Sequence, residues 1–233
     1  MRSSKPGAVQ INVFQWADTV NPLRVLDRLV ARQLGHPKGL LGAVIARVLN
    51  KGNAPTIAAA VAALELAGTE TAADIGFGGG LGLHLLLAAT AGDVHGVEPS
   101  PDMIRRARRS HRRELDAGRL HLHVGTMQAL PLAAASLDGW ISLNTVYFIS
   151  DLAPAFADLH RVLRPSGRGV LGVADPGWLD RQPFARHGFL VRPVRRIAGA
   201  LADAGFSVEH RTAPASRSSG GGTPYNLLIC RPG

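Results

Sequence analysis

Apolar positions carry no strong period over residues 1–20, a helical one from 21 to 66, and two interleaved periods after residue 70. Leu23, Leu26, Leu29 and Val30 fall at helical spacing behind an Asn21-Pro22 start, a second short helical run covers 40–49, and Ile57, Val61 and Leu64 share one face of a helix expected over 55–66. Breaks at Gly35-His36-Pro37 and Gly52-Asn53-Ala54-Pro55 separate these runs. Beyond residue 70, short apolar strands alternate with helical stretches. Strands are expected over 71–75, 93–98, 120–124, 137–143 and 169–174. Helices are expected over 81–91, from the cap Ser100-Pro101-Asp102 onward, over 152–163 and over 193–204. Arg164-Pro165-Ser166-Gly167 reads as a turn, and two last strands, 206–211 and 225–230, flank a Gly/Ser loop.

Strand–helix alternation closed by a strand pair predicts an α/β fold. Its core is a doubly wound, mostly parallel seven-stranded sheet with helices on both faces and one antiparallel strand. Residues 1–68 are expected to form an N-terminal helical cap or lid, and 69–233 the Rossmann-like core. Ligands of such sheets bind at the carboxyl ends of the strands, near the point where the strand order reverses. The chemistry should therefore lie in the loops after the first four strands.

The first of these loops reads Asp74-Ile75-Gly76-Phe77-Gly78-Gly79-Gly80-Leu81-Gly82. Glycines there let the chain turn from strand to helix and bring a ligand against the main chain, where a Cβ would clash. The dinucleotide fingerprint fails, because the sixth position counted from Gly76 is Leu81 and from Gly78 is Leu83. A phosphate-binding loop is also excluded, since Gly82-Leu83-His84 supplies neither lysine nor hydroxyl. The spacing that is met is D-x-G-x-G-x-G, with Asp74, Gly76, Gly78 and Gly80. Glu98 then ends the second strand, where a carboxylate can accept hydrogen bonds from both hydroxyls of a ribose.

In these two motifs the chain resembles the class I, Rossmann-like S-adenosylmethionine-dependent methyltransferases, in their small-molecule branch. The resemblance spans about residues 50–212. It extends to Gly125-Thr126-Met127-Gln128-Ala129-Leu130-Pro131 after the third strand and Asn144-Thr145-Val146-Tyr147-Phe148 after the fourth. Arg161-Val162-Leu163-Arg164-Pro165-Ser166-Gly167 is similar to the family's turn before strand five, with Ser166 in place of a glycine. The resemblance implies S-adenosyl-L-methionine as cofactor and S-adenosyl-L-homocysteine as its product. It implies that Asp74, Gly76, Gly78, Gly80 and Glu98 hold the cofactor, with Met103 packed on adenine, Thr126 and Met127 beside it, and Asn144 bordering cofactor and acceptor. Thr126 departs from the family, since many members have an Asp there for the adenine amino group.

The implied activity is methyl transfer to oxygen, nitrogen or carbon of a small molecule. An oxygen or nitrogen acceptor also calls for a base, and Tyr147, Asp175 and His187 are the candidates. Two other readings stay open: a nicotinamide-dependent oxidoreductase, and a nucleotide-binding module without catalysis. No Asn-Pro-Pro-Tyr-like run follows the fourth strand, which argues against amino-group methylation of DNA bases.

Composition narrows the partners. The net charge is +9, yet only three of the 26 basic residues are lysines, and the arginines are scattered apart from six between Arg105 and Arg113. That distribution argues against nucleic acid and reads the cluster as a solvated helix face. Cys230 is the sole cysteine, so an intrachain disulfide and a thiolate metal cluster are both impossible. Met1–Pro6 lacks the apolar stretch of a signal peptide, and the longest apolar run, 54–68, is broken by Glu65. A cytoplasmic protein without a transmembrane segment or metal, monomeric or homodimeric, is expected.

Overall fold

The structure is a computed structural model that describes residues 53–186, 188–216 and 223–233. The helices expected over 21–49 and the candidate base His187 lie outside the described residues. In chain order the elements are helix α1 (53–63), β1 (Ala72–Ile75), α2 (Leu81–Ala89), β2 (Val94–Glu98), α3 (Pro101–Ser110), α4 (Arg112–Asp116) and β3 (Leu120–Val124). There follow β4 (Leu137–Leu143), α5 (Leu152–Val162), β5 (Leu163–Ala174), α6 (Pro176–Asp180), α7 (Val194–Asp203), β6 (Phe206–Ser216) and β7 (Thr223–Pro232).

The seven strands form one sheet in the order β3-β2-β1-β4-β5-β7-β6. The pairs from β3 to β5 are parallel, and β7 runs antiparallel to both β5 and β6. The expected doubly wound sheet with one antiparallel strand is the sheet observed. The strand order reverses between β1 and β4, which puts the switch point at the end of β1.

Alternation along each strand feeds two core layers. Trp140 and Leu171 point to one side, where they pack with Phe156, Leu159, Ile197 and Leu201 of α5 and α7. Their neighbours Ile141 and Val170 point to the other side, among Leu83, Leu86 and Ile104 of α2 and α3.

Helix α1 joins that second layer. Ala60 is fully buried and Leu64, just past its end, nearly so, and Arg168 on β5 donates to the Ala63 carbonyl at 3.0 Å and pairs with Glu65 at 2.6 Å. Of the cap expected over residues 1–68, α1 therefore packs on the sheet, because its apolar face has a layer to fill. The rest of the expected cap, residues 1–52, lies outside the described residues.

Two local expectations also change. Arg164-Pro165-Ser166-Gly167 is part of β5 rather than a turn, with the register shifting between the pairs Leu137–Leu163 and Gly139–Arg168. The helix opened by Pro101 breaks at His111 (φ −120°, ψ 36°), which divides it into α3 and α4. No helix among the described residues is long and apolar enough to cross a membrane.

Candidate active site

At the end of β1 the chain enters the glycine loop with Gly76 at φ 76° and Gly78 at φ 48°, both in the left-handed region that favours glycine. Their surroundings differ. A Cβ on Gly76 would stand 2.4 Å from Thr145 Cγ2, so this glycine lets the loops after β1 and β4 close on each other. A Cβ on Gly78 would meet nothing nearer than the Gly76 carbonyl oxygen at 4.0 Å, so the main chain here borders open space. Gly80, also left-handed, is the N-cap of α2.

Two buried acids flank this loop. Glu98, the last residue of β2, is 5% exposed and accepts from the N–H groups of Gly78 and Ser100, both at 3.0 Å. The two amides fix its orientation, and burial still holds its carboxyl above the usual range. Asp74 on β1 is equally buried, and burial, with the Glu98 charge second, pushes it up to about 8. Among the described residues no donor reaches the Asp74 carboxylate. A pair of buried acids at strand ends, one without a donor, is electrostatically suited to a cationic ligand.

Gly82 was not singled out by its motif position, yet it makes room for Asp74. A Cβ there would lie 2.1 Å from Asp74 Oδ2 and 3.0 Å from Ile141 Cδ1. Gly82→Ala should displace the carboxylate, weakening S-adenosylhomocysteine binding about tenfold and lowering stability by roughly 1–3 kcal/mol through overpacking. Calorimetry and thermal unfolding of that variant check both.

The loop after β4 is clamped from three sides. Ser142 is fully buried; its Oγ donates to the Ile75 carbonyl at 2.7 Å and lies 2.7 Å from Thr145 Oγ1. The Asn144 N–H donates to the Gly172 carbonyl at 2.9 Å, and its Nδ2 donates to the Tyr225 hydroxyl at 2.9 Å. Neither Ser142 nor Tyr225 carried a sequence signal, because their partners are set by strand pairing.

The candidate bases fare differently from the cofactor residues. Tyr147 is 3% exposed, and its hydroxyl accepts from the Ala174 N–H at 2.6 Å. Burial raises its pKa, and through this bond Tyr147 fastens the β4 loop to the end of β5. Asp175 caps α6, accepting from the Trp178 N–H at 2.7 Å. Met103 and Met127 are core residues, 2% and 5% exposed, so their packing is with the protein's own interior. Thr126 is exposed, in a turn where its carbonyl accepts from the Ala129 N–H at 3.2 Å. That segment is tied to α5, with Asp158 accepting from the Leu130 N–H at 2.5 Å and Arg161 donating to the Leu132 carbonyl at 2.8 Å.

Comparison with known proteins agrees with this geometry. Residues 73–171 match the methyltransferase domain family. An uncharacterized 37.1 kDa protein in transposon TN4556 of Streptomyces fradiae is 32% identical over 164 residues, covering 63% of this chain and 46% of the relative. The O-methyltransferase cnsE of Penicillium expansum is 28% identical over 141 residues, covering 58% and 51%. The chain spans about half the length of these two curated relatives. Among solved structures, geranyl diphosphate C-methyltransferase from Streptomyces coelicolor A3(2) superposes with a TM-score of 0.67 at 17% identity, covering 86% of this chain and 87% of the other. Residues 73–171 thus match a methyltransferase domain, on a sheet with the same fold as that methyltransferase.

Proposed function

We propose that this chain binds S-adenosyl-L-methionine and catalyses transfer of its methyl group to a small organic acceptor with an apolar body. The observation that carries the reading is the open glycine cradle at Gly78 between two buried acids, Asp74 and Glu98. Glu98, oriented by two backbone amides, receives the ribose hydroxyls, and Asp74 supplies negative charge toward the amino-acid end. When bound, the cofactor supplies a sulfonium methyl whose C–S bond breaks, its electron pair going to sulfur, as a bond to the acceptor's oxygen, nitrogen or carbon forms. The chain's own part is to hold the acceptor in line with that methyl and to exclude water.

The apolar acceptor is supported by the rim of the site. Phe148, in the loop after β4, is 37% exposed and Leu190 is 43% exposed, while the Leu190 N–H donates to the Tyr147 carbonyl at 2.8 Å. Phe189 lies between them, its ring 4.8 Å from Phe148 edge-on and 5.6 Å from Tyr147 in a stack. An aromatic wall beside a polar cradle is the usual make-up of a small-molecule site. The O-methyltransferase name of one relative and the geranyl diphosphate acceptor of one structural neighbour support the same class. Cytoplasmic location and a monomeric or homodimeric state belong to the same proposal.

S-adenosylhomocysteine should stabilise the protein thermally, and NAD should not; the reverse would favour an oxidoreductase. Turnover of a panel of phenols and isoprenoid alcohols with labelled cofactor then separates an enzyme from a binding module. Glu98→Ala should weaken S-adenosylhomocysteine binding by about 1.5–3 kcal/mol, the size of hydrogen bonds to a charged group. A change below a few tenths in calorimetry would take Glu98 out of the site.

A further inference from the structure

We propose that Tyr225 and Asn53 are positioning residues that aim the side-chain carbonyl of Asn144 at the amino-acid end of the bound cofactor. The inference rests on the S-adenosylmethionine reading above. Asn144 is held in the left-handed region at φ 59°, an uncommon conformation for a residue with a side chain. Its Nδ2 donates to the Tyr225 hydroxyl at 2.9 Å, and that hydroxyl donates to Asn53 Oδ1 at 3.2 Å. The donors all run one way, from the loop after β4, through β7, to the start of α1. With Nδ2 committed, the amide has a single orientation, and Asn144 Oδ1 is buried without a hydrogen-bond partner among the described residues.

A buried acceptor left unpaired forfeits its hydration without a replacement, and native proteins rarely keep one without a use. The sheet order says what reaches it. Glu98 on β2 and the segment following β3 stand on one side of the glycine loop, and β4 stands on the other. A ligand whose ribose lies at Glu98 and whose base lies toward β3 must carry its amino-acid end across to β4. That end bears an ammonium group, a donor with no acceptor capacity, which matches a lone carbonyl oxygen. Donation from the same amide into the Tyr225–Asn53 chain polarises the carbonyl and strengthens the bond it accepts. Tyr225 is 5% exposed and lies on the antiparallel strand, so the sheet's irregular half contributes to cofactor recognition.

The test is calorimetry on the full chain with two probes, S-adenosylhomocysteine and 5′-methylthioadenosine, which keeps the nucleoside and sulfur but lacks the amino-acid end. Tyr225→Phe removes the hydroxyl and keeps the ring. It should raise the S-adenosylhomocysteine Kd about five- to tenfold while the 5′-methylthioadenosine Kd stays within about twofold. Asn53→Ala, which spares the ring altogether, should show a smaller loss with the same selectivity. Tyr225→Phe combined with Asn144→Ala should bind no worse than Asn144→Ala alone, since Tyr225 acts through that amide. Equal losses for both probes would reduce Tyr225 to a packing residue and overturn the inference, as would additive losses or an unchanged S-adenosylhomocysteine Kd. Failure of the unmutated protein to bind either probe would refute the cofactor reading itself.

Discussion

Gly78→Val is expected to abolish S-adenosylhomocysteine binding, with at least a hundredfold rise in Kd, about 2.7 kcal/mol. At this position a new Cβ would meet no protein atom nearer than the Gly76 oxygen at 4.0 Å, so the side chain starts out into the space assigned to the ligand. The substitution also strains the backbone, because a β-branched residue at φ 48° costs about 1–2 kcal/mol. That strain needs a control, and Gly118 provides one. It has φ 72°, nothing within 4 Å of a built Cβ, and lies in the turn between α4 and β3, away from the cradle. Gly118→Val should show the same modest drop in melting temperature with normal binding. Near-normal affinity in Gly78→Val would mean that no ligand lies over this loop.

What could be read from the chain alone was whatever is carried by local spacing. Asp74, Gly76, Gly78, Gly80 and Glu98 lie at strand ends whose position follows from short apolar runs, so the cradle and its acids were visible before the fold. That the sheet is mostly parallel with one antiparallel strand followed from alternation and the closing strand pair, whereas the order of the strands came only from their pairing. Features set by distant contacts were not visible. Asn144 meets Tyr225 across 81 positions of chain, and only the pairing of β7 with β5 brings them together. The apolar face of α1 announced that this helix packs, but not on what. Its partner includes Gly139, where a Cβ would stand 3.4 Å from the methyls of Leu64. Likewise Arg164-Pro165-Ser166-Gly167 has turn residues throughout, and pairing of Leu163 with Leu137 draws the segment into β5. The methionines illustrate the same limit. Period places Met103 on the inner face of α3, and period cannot say whether that face meets a ligand or the protein's own core.

The acid at Asp74 makes binding and stability move in opposite directions with pH. In the free protein burial holds its proton up to about pH 8, whereas an aspartate in an unfolded chain ionises near 3.9. Between those values the folded state binds more protons than the unfolded state, so stability falls as pH rises through this window. Asp74→Asn keeps the shape and removes the titration, and it should be the more stable protein at pH 8.5 in the absence of ligand. Ligand binding runs the other way. An ammonium group favours the ionised carboxylate, so below pH 8 S-adenosylhomocysteine must displace the Asp74 proton, and its affinity should climb towards tenfold per pH unit before levelling off above pH 8. Asp74→Asn should lose the pH dependence and, at pH 8.5, bind more weakly by about 3 kcal/mol or more, since the ligand's charge is then buried beside one acid instead of two. Calorimetry from pH 6 to 8.5 on both proteins decides the matter. A flat profile in the unmutated protein, or equal affinities at pH 8.5, would show that the ligand's positive charge is met elsewhere and that Asp74 serves only the packing beneath Gly82.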